Sequence, residues 1–367
     1  MSIGFPVKAD YVTGDVLTAN NMNDLSGTLN TIQSVEYAAG KNAIINGDFF
    51  VNQRSFSSTT TNGTYGFDRW RIDCSGGTVT YSAQTFTLGT APVAGYEGTN
   101  YARILTSGQS AAGDLSIFLQ RIEDVRTFAN QTVTISFWAK AASGTPKIAA
   151  EYYQVFGSGG SPSSSVSTPA GTVTLTTSWA RYSITTAIPS ISGKTIGTTA
   201  NTSTLDVLLW VSAGTTYATR ASSIGIQNNT FDVWGVQLEE SSTASAFQTA
   251  TGTIQGELAA CQRYYYRNFP AAADKVTAQG LAATTTLASQ IVVHKVTMRV
   301  APTSVDFTAL QLNDTNSNTA VTNCTINQAS ADLTNLTITV ASGLTAYRPM
   351  NLNTSSSAGY LGLSAEL

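Results

Sequence analysis

In a chain of 367 residues with a single histidine, acid–base and nucleophilic chemistry has few places to sit. A Ser-His-Asp arrangement would have to use His294, and no G-x-S-x-G elbow or comparable nucleophile signature accompanies it. Glycoside cleavage needs only two placed carboxylates, for which Glu123 with Asp124 and Glu239 with Glu240 are the nominal pairs. Neighbouring residues on a strand point to opposite faces, so neither pair can straddle one bond. Phosphate-cradling loops of the G-x-x-x-x-G-K-[ST] or G-x-G-x-x-G type are not found. Cys74, Cys261 and Cys324 are odd in number and far apart, which fits neither a disulfide framework nor a zinc site, and they read as buried free thiols. None of these residues requires a cofactor, and the chain is not expected to be an enzyme. His294 lies in QIVVHKVTMRV (290 to 300), where strand alternation places it with Val296, Met298 and Val300. That is the setting of a core or interface histidine with a satisfied hydrogen bond; copies meeting on a symmetry axis are the metal-binding alternative.

Binding chemistry is better represented. In TVTISFWAKA (132 to 141), Ile135, Phe137 and Ala139 share one strand face and Ser136, Trp138 and Lys140 the other. In SWARYSI (178 to 184), Trp179, Arg181 and Ser183 lie opposite Ala180, Tyr182 and Ile184. Two tryptophans thus fall on otherwise polar faces. An indole can stack on the C–H face of a sugar ring while a neighbouring Arg or Ser bonds the hydroxyls. Trp138, Trp179 and Arg181 are therefore the candidate glycan platform, the alternative being that a loop or sister subunit covers the rings. Trp210 in DVLLWVSAG and Trp234 in FDVWGVQLEE have apolar neighbours and read as core. In CQRYYYR (261 to 267), strand alternation would set Tyr264 and Tyr266 against Arg263, Tyr265 and Arg267. Cys261 is expected to be buried, and Tyr265 between its arginines is a candidate contact surface.

The elements that must position these residues are mainly strands. Charged residues are 11% of the chain, less than half the ~25% of an ordinary soluble protein, and Thr, Ser, Asn and Gly fill the balance. Thr suits half-buried pleated surfaces and the others suit turns. A net charge of -3 without any Lys/Arg cluster argues against a nucleic-acid partner. No apolar run approaches the ~20 residues of a membrane span, and MSIGFPVKADYVTGD does not read as a secretory leader. Near the start, Thr18 is a plausible N-cap, and Met22, Leu25, Leu29 and Ile32 follow at heptad a/d spacing. Two heptads fit either an amphipathic helix packed on its own domain or a docking and oligomerising stem, and the stem is the expectation. The predicted fold class is mainly β: a short N-terminal helical stem (1–41), a β-sandwich of jelly-roll type (42–250) and a second C-terminal β domain (251–367). The last begins with a helical turn capped near Thr253.

NAIINGDFFVNQR (42 to 54), YGFDRWRI (65 to 72), LQRIEDV (119 to 125), TVTISFWAKA, FDVWGVQLEE (231 to 240) and ELAACQRYYYR (257 to 267), in that order, resemble the motif series of bacteriophage tail-fibre proteins. GDVLTANNMNDL (14 to 25) is similar to their virion-attachment segments, and GYLGLSAEL (359 to 367) to their closing strand. The resemblance implies a jelly roll similar to carbohydrate-binding ones, a homotrimer, and a place on the virion after synthesis in the host cytoplasm. It also implies docking through residues 1–41 to tail, adaptor or capsid proteins, and recognition of a bacterial surface glycan or envelope protein. A structural fibre, capsid-decoration or adaptor protein without receptor binding is the alternative. In related modules an acidic residue after the first-strand Asn-Gly-x-Phe and an Asp in the last strand help hold a structural calcium. Asp48 and Asp232 sit at comparable places, although Phe50 stands where such modules often carry Glu.

Overall fold

The structure, a computed structural model, describes residues 40–93, 96–269, 271–314 and 317–367. The expected helical stem, with Met22, Leu25, Leu29 and Ile32, lies outside the described residues.

The first part of the chain is built from β1 (Ser58–Thr59), β2 (Thr64–Tyr65), β3 (Arg71–Ser75), β4 (Thr78–Thr85), β5 (Asn100–Ser107) and β6 (Leu115–Glu123). It continues with β7 (Thr132–Ala141), β8 (Lys147–Val155), β9 (Val166–Thr174), β10 (Ala180–Ala187), β11 (Thr204–Ala213) and β12 (Thr230–Glu240). These form two six-stranded sheets, ordered β1-β4-β5-β12-β7-β10 and β2-β3-β6-β11-β8-β9. From β5 onward the chain switches sheets at every connection except β8 to β9. The resulting order, β5-β12-β7-β10 facing β6-β11-β8-β9, is jelly-roll connectivity. Strand alternation supplies the core: Ile104, Ile135, Phe137, Phe231 and Val233 from one sheet pack with Phe118, Ile148, Tyr152, Leu205 and Val207 from the other.

The NGDFF and FDRW motifs clip one end of this core. Asn46 adopts φ 58°, a left-handed conformation that Asn tolerates, and its amide donates to the carbonyls of Val51 (2.8 Å) and Asp68 (3.0 Å). Trp70 Nε1 donates to the Asn46 carbonyl at 2.9 Å, and the indole stacks on Phe118 at 4.5 Å. Asn46, Asp68 and Trp70, from two of the motifs that carry the resemblance, are thus buried turn and core residues.

After the sandwich comes helix α1 (Ile254–Gln262), where the Thr253 hydroxyl accepts from the Gly256 N–H at 3.0 Å, the N-cap expected there. Nine strands follow: β13 (Tyr265–Asn268), β14 (Val276–Ala282), β15 (Leu287–Val293), β16 (Ser304–Thr308), β17 (Leu310–Asn313), β18 (Asn318–Ala329), β19 (Leu333–Val340), β20 (Pro349–Thr354) and β21 (Tyr360–Ser364). Six of them close into an antiparallel barrel, β14-β15-β19-β18-β17-β20, and β13-β21-β16 form a small sheet beside it. The alternation expected through residue 300 stops at Val293. The chain there leaves the strand, and the N–H groups of His294 and Met298 donate to Asp332 and Ala331 instead. His294 is buried, with Nδ1 2.8 Å from the Ala331 carbonyl and Nε2 2.9 Å from the Thr334 hydroxyl.

The tyrosine run lies where sandwich and barrel meet. Tyr264 sits under the Arg69 guanidinium (3.4 Å) and Tyr265 under that of Arg54 (3.6 Å), while Tyr266 enters the barrel core. All three are buried, so Tyr265 is not the exposed contact surface expected from alternation; its hydroxyl donates to Asp306 at 3.0 Å. The face of the small sheet that carries Tyr265 is exposed at Ser304, Asp306 and Thr308 of β16, but at Tyr265 itself the Arg54 guanidinium covers the ring. The chain's last residues complete the junction. The Glu366 carboxylate pairs with Arg69 and with Arg54 (3.3 Å), and the Leu367 carbonyl accepts from Tyr65 (2.7 Å) and Arg121 (2.8 Å).

Candidate functional site

The outer faces of the two sandwich sheets differ in what they offer a ligand. On the sheet containing β7, β10 and β12, Trp138 does face outward, as alternation predicts, but both sides of its ring are taken. The Arg181 guanidinium lies over it at 4.8 Å, held by the Ser136 hydroxyl (3.0 Å) and the Ser245 carbonyl. Trp234 (5.3 Å) and Phe247 (6.0 Å) pack against it. A bulge at Gly235, φ 63°, makes this packing fit: a Cβ there would stand 2.7 Å from the Trp138 ring. Trp179 is half-buried between Phe86 (5.5 Å) and Tyr101 (5.3 Å), with the Lys140 ammonium 5.4 Å from its ring. Trp138 and Arg181 therefore cap one another, which corrects the expectation of an open platform made of Trp138, Trp179 and Arg181. Trp234 is fully buried, as expected, but beneath this outer aromatic group.

The opposite sheet carries a groove of about 350 Å³ on its outer face. In β6, β8 and β11, alternation sends Ile117, Leu119 and Arg121, then Ala149, Glu151 and Tyr153, then Asp206, Leu208 and Trp210 away from the main core. The connection after β11 folds back over them through a short 3₁₀ turn, Thr215–Tyr217. Tyr217 packs on Trp210 at 5.6 Å, and Ala221 and Ile224 close the small apolar cluster. Beneath the groove a fully buried carboxylate, Glu151, holds the parts together. It accepts from Trp210 Nε1 (2.8 Å), from Arg220 Nε (2.8 Å) and Nη2 (3.1 Å), and from the Ser167 hydroxyl (2.5 Å). Arg220 is thereby laid across Tyr153 (4.7 Å) and Trp210 (5.3 Å).

Around this aromatic and aliphatic floor stand Asn62, Asp73, Arg121, Asp206 and Arg220, with Cys74 and Ser75 at one side. Asp206 pairs with Arg121 at 3.3 Å; burial nevertheless raises its pKa, against the pull of Arg121 and the Thr204 hydroxyl. Burial, and then the charge of Asp73, raise that of the Cys74 thiol. Cys74 is only half-buried, unlike the buried Cys261 and Cys324, which corrects the reading of three buried thiols. An apolar floor with charged donors and acceptors at its margin suits a ring that presents a C–H face and edge hydroxyls.

Trp210 is fully buried, as its apolar neighbours predict, but in the small cluster beneath this groove rather than in the main core. A strand that is apolar at nearly every position, as TLDVLLWV is, has two faces to cover, and only one can belong to the main core. The cover for the second face was visible close by, in the Tyr217 and Arg220 of GTTYATR.

The carboxylates proposed for calcium have other surroundings. Asp232 accepts from Arg103 Nε (2.7 Å) and Nη2 (2.9 Å), with the Lys140 ammonium at 3.7 Å. Two cations do not fit a calcium shell of six to eight oxygens. Asp48 accepts from the Phe50 N–H (3.2 Å) and the Tyr96 hydroxyl (2.6 Å) at the foot of a separate cleft of about 310 Å³, which Glu97 and Glu257 also line. Burial raises the pKa of Asp48 and of Glu257. Among the described residues no three His, Cys, Asp or Glu side chains are grouped to hold a metal ion. Asp48 and Asp232 thus do not fit a shared calcium.

No family model matches the chain, and no curated protein matches it in sequence. Similar solved structures include the enzymatically active domain of bacteriophage CBA120 tailspike protein 4, at 13% identity and a TM-score of 0.32, over 54% of this chain and 21% of that one. The CBM22-2 xylan-binding domain of Paenibacillus barcinonensis Xyn10C aligns at 17% and 0.30, over 49% and 94%. The family 11 carbohydrate-binding module of Clostridium thermocellum aligns at 12% and 0.29, over 52% and 99%. Likeness at these scores is too loose to argue from, and the jelly-roll order stands on the strand pairing alone.

Proposed function

We propose that this chain is a fibre protein of a bacterial virus that recognises a host-surface glycan through the groove over β6, β8 and β11, binding without cleaving. The observation that carries the reading is the groove itself: above a fully buried Trp210, the half-buried rings of Tyr217 and Tyr153 provide the stacking surface, and Arg121, Asp206 and Arg220 stand as polar groups at its margin. The order of tail-fibre-like motifs supports the virion role. In this reading residues 1–41 dock on tail, adaptor or capsid proteins, and the chain works as a homotrimer in which several weak glycan contacts add through avidity.

The test is binding of the full chain to a panel of bacterial lipopolysaccharides and capsular polysaccharides, measured by biolayer interferometry beside Tyr217→Ala. Loss of one stacking ring should weaken a recognised glycan about two- to tenfold, the range of ~0.5–1.5 kcal/mol for a ring contact. A wild-type chain that binds none of the panel and does not compete with virus for adsorption, or a Tyr217→Ala variant that binds as well as wild type, defeats the reading.

A further inference from the structure

We propose that the outer wall of the barrel over β14, β15 and β19 is a self-association surface, meeting the same wall of sister copies of this chain around the axis of the homotrimer. The proposal rests on the self-association named above and is independent of the glycan groove. Along these strands every second residue faces out, and the outward set includes Leu281, Ile291 (50% exposed), Val293 (71%) and Leu333 (44%). Register makes them one patch: Val293 pairs directly with Leu333, Ile291 with Gln279 on one side and Asn335 on the other, and Leu281 with Ser289. The remaining outward positions between them, Gln279, Ser289, Asn335 and Thr337, are uncharged, and the Ser289 hydroxyl is already turned onto Asn335 Oδ1 at 2.8 Å.

The lack of charge extends to all six barrel strands, and the nearest exposed charges, Lys295 and Asp332, lie in the connections just outside Val293 and Leu333. None of the six strands contains Asp, Glu, Lys, Arg or His. The sandwich, by contrast, places Arg103, Lys140, Asp232, Arg121 and Asp206 on its outer faces. A free surface usually keeps interspersed charges for solubility, so an apolar wall without any signals a covered face. The barrel is closed, which removes strand-edge pairing as a way to cover it and leaves side-chain packing. A neutral wall has no charge pattern with which to select a different partner. In a chain of net charge -3 it is the place where two copies approach without like charges meeting. The heptad-spaced Met22, Leu25, Leu29 and Ile32, outside the described residues, independently favour copies held together, which raises the effective concentration of one wall at another.

The test is sedimentation equilibrium of the full chain beside Ile291→Lys, Ile291→Glu, an equimolar mixture of those two, and Leu25→Asp/Leu29→Asp. Ile291 is exposed, so circular dichroism should show the wild-type fold in both single variants. Each single variant should raise the dissociation constant at least about tenfold by setting like charges face to face, and the mixture should recover most of the loss. Single variants with wild-type mass, a mixture that recovers nothing, or a wild type that is monomeric at tens of micromolar would each overturn the proposal. Loss of association in the Leu25→Asp/Leu29→Asp chain alone would assign self-association to the amino-terminal segment and also overturn it. So would wild-type binding to phosphatidylglycerol vesicles that the Ile291 variants lose at unchanged mass, because the wall would then be a lipid surface. Failure of the glycan panel with the Ile291 series behaving as expected would remove the glycan reading and leave this one standing.

Discussion

Replacing Glu151 by glutamine tests whether the groove is held by its buried carboxylate. Glu151 is fully buried and receives four donors: Trp210 Nε1, two from Arg220 and the Ser167 hydroxyl. An amide of the same shape keeps one acceptor oxygen and turns an NH₂ toward groups that themselves donate. Hydrogen bonds to a charged group contribute ~1.5–3 kcal/mol each, and breaking a buried ion pair costs ~3–5 kcal/mol. The Arg220 side chain, however, is 33% exposed and can rehydrate when released, which places the expected loss at the low end, about 2–3 kcal/mol. At ~2–4 °C per kcal/mol for a domain of the sandwich's size, the sandwich transition should fall by about 5–10 °C in differential scanning calorimetry. A double-mutant cycle with Arg220→Gln assigns the effect, because the pair should show a coupling above about 0.5 kcal/mol. Glycan affinity should fall together with stability, since Arg220 and Tyr217 lose their seat. A Glu151→Gln chain that melts within about 1 °C of wild type, or a cycle without coupling, refutes the reasoning.

Native protein should react with a maleimide at Cys74 alone, slowly at neutral pH because its thiol pKa is raised, and at all three cysteines in urea; mass spectrometry reads the count. A bound glycan should slow the Cys74 reaction, because Cys74 lines the groove. Burial, only partly offset by Arg54, lifts the Asp68 carboxyl to about 6 from its ordinary 3.8. Between pH 4 and 6 the folded chain therefore keeps a proton that the unfolded chain has released, so this group favours folding most below pH 4 and loses that contribution as pH rises through 6. In urea titrations the stability difference between wild type and Asp68→Asn should shrink across this window and level off above it; a difference that grows with pH would contradict the assignment. Glu366→Ala leaves the Arg69 guanidinium, 1% exposed, without its carboxylate, and should lower stability by about 3–5 kcal/mol, read as a lower urea midpoint. An unchanged midpoint would show that the Arg121 carbonyl and Tyr264 suffice for Arg69.

Strand faces were legible wherever one side of a strand is apolar and the other polar. Ile135, Phe137 and Ala139 are fully buried and Trp138 faces out, as the alternation of TVTISFWAKA requires. What covers an outward residue was not legible, because the cover comes from distant chain: Phe247 and Ser245 for Trp138 and Arg181, Arg54 for Tyr265. The same limit hid the groove. Parity shows that Trp210 leaves the main core only when its register against β6 and β8 is known, and TLDVLLWV alone does not fix that register. For Asp232 the strand was read correctly, but its partners Arg103 and Lys140 stand on the two neighbouring strands, β5 and β7, across which no local pattern reaches.

The ion pair between Arg69 and Glu366 also sets an order in time. The two residues are 297 positions apart, so at ~5–20 residues per second the ribosome adds Glu366 about 15–60 s after Arg69. Until then a nascent sandwich lacks the Glu366 carboxylate, and at first also the Tyr264 ring, that enclose Arg69 in the finished fold. The jelly roll can assemble its sheets early, with Arg54 near Asp68 and Arg121 paired to Asp206, yet Arg54, Arg69, Arg121 and Tyr65 each gain a further contact only when residues 366 and 367 arrive. A chain truncated by translation or nicked in its last strand would leave that set open, and would be marked as unfinished in the sandwich itself rather than at the distant break.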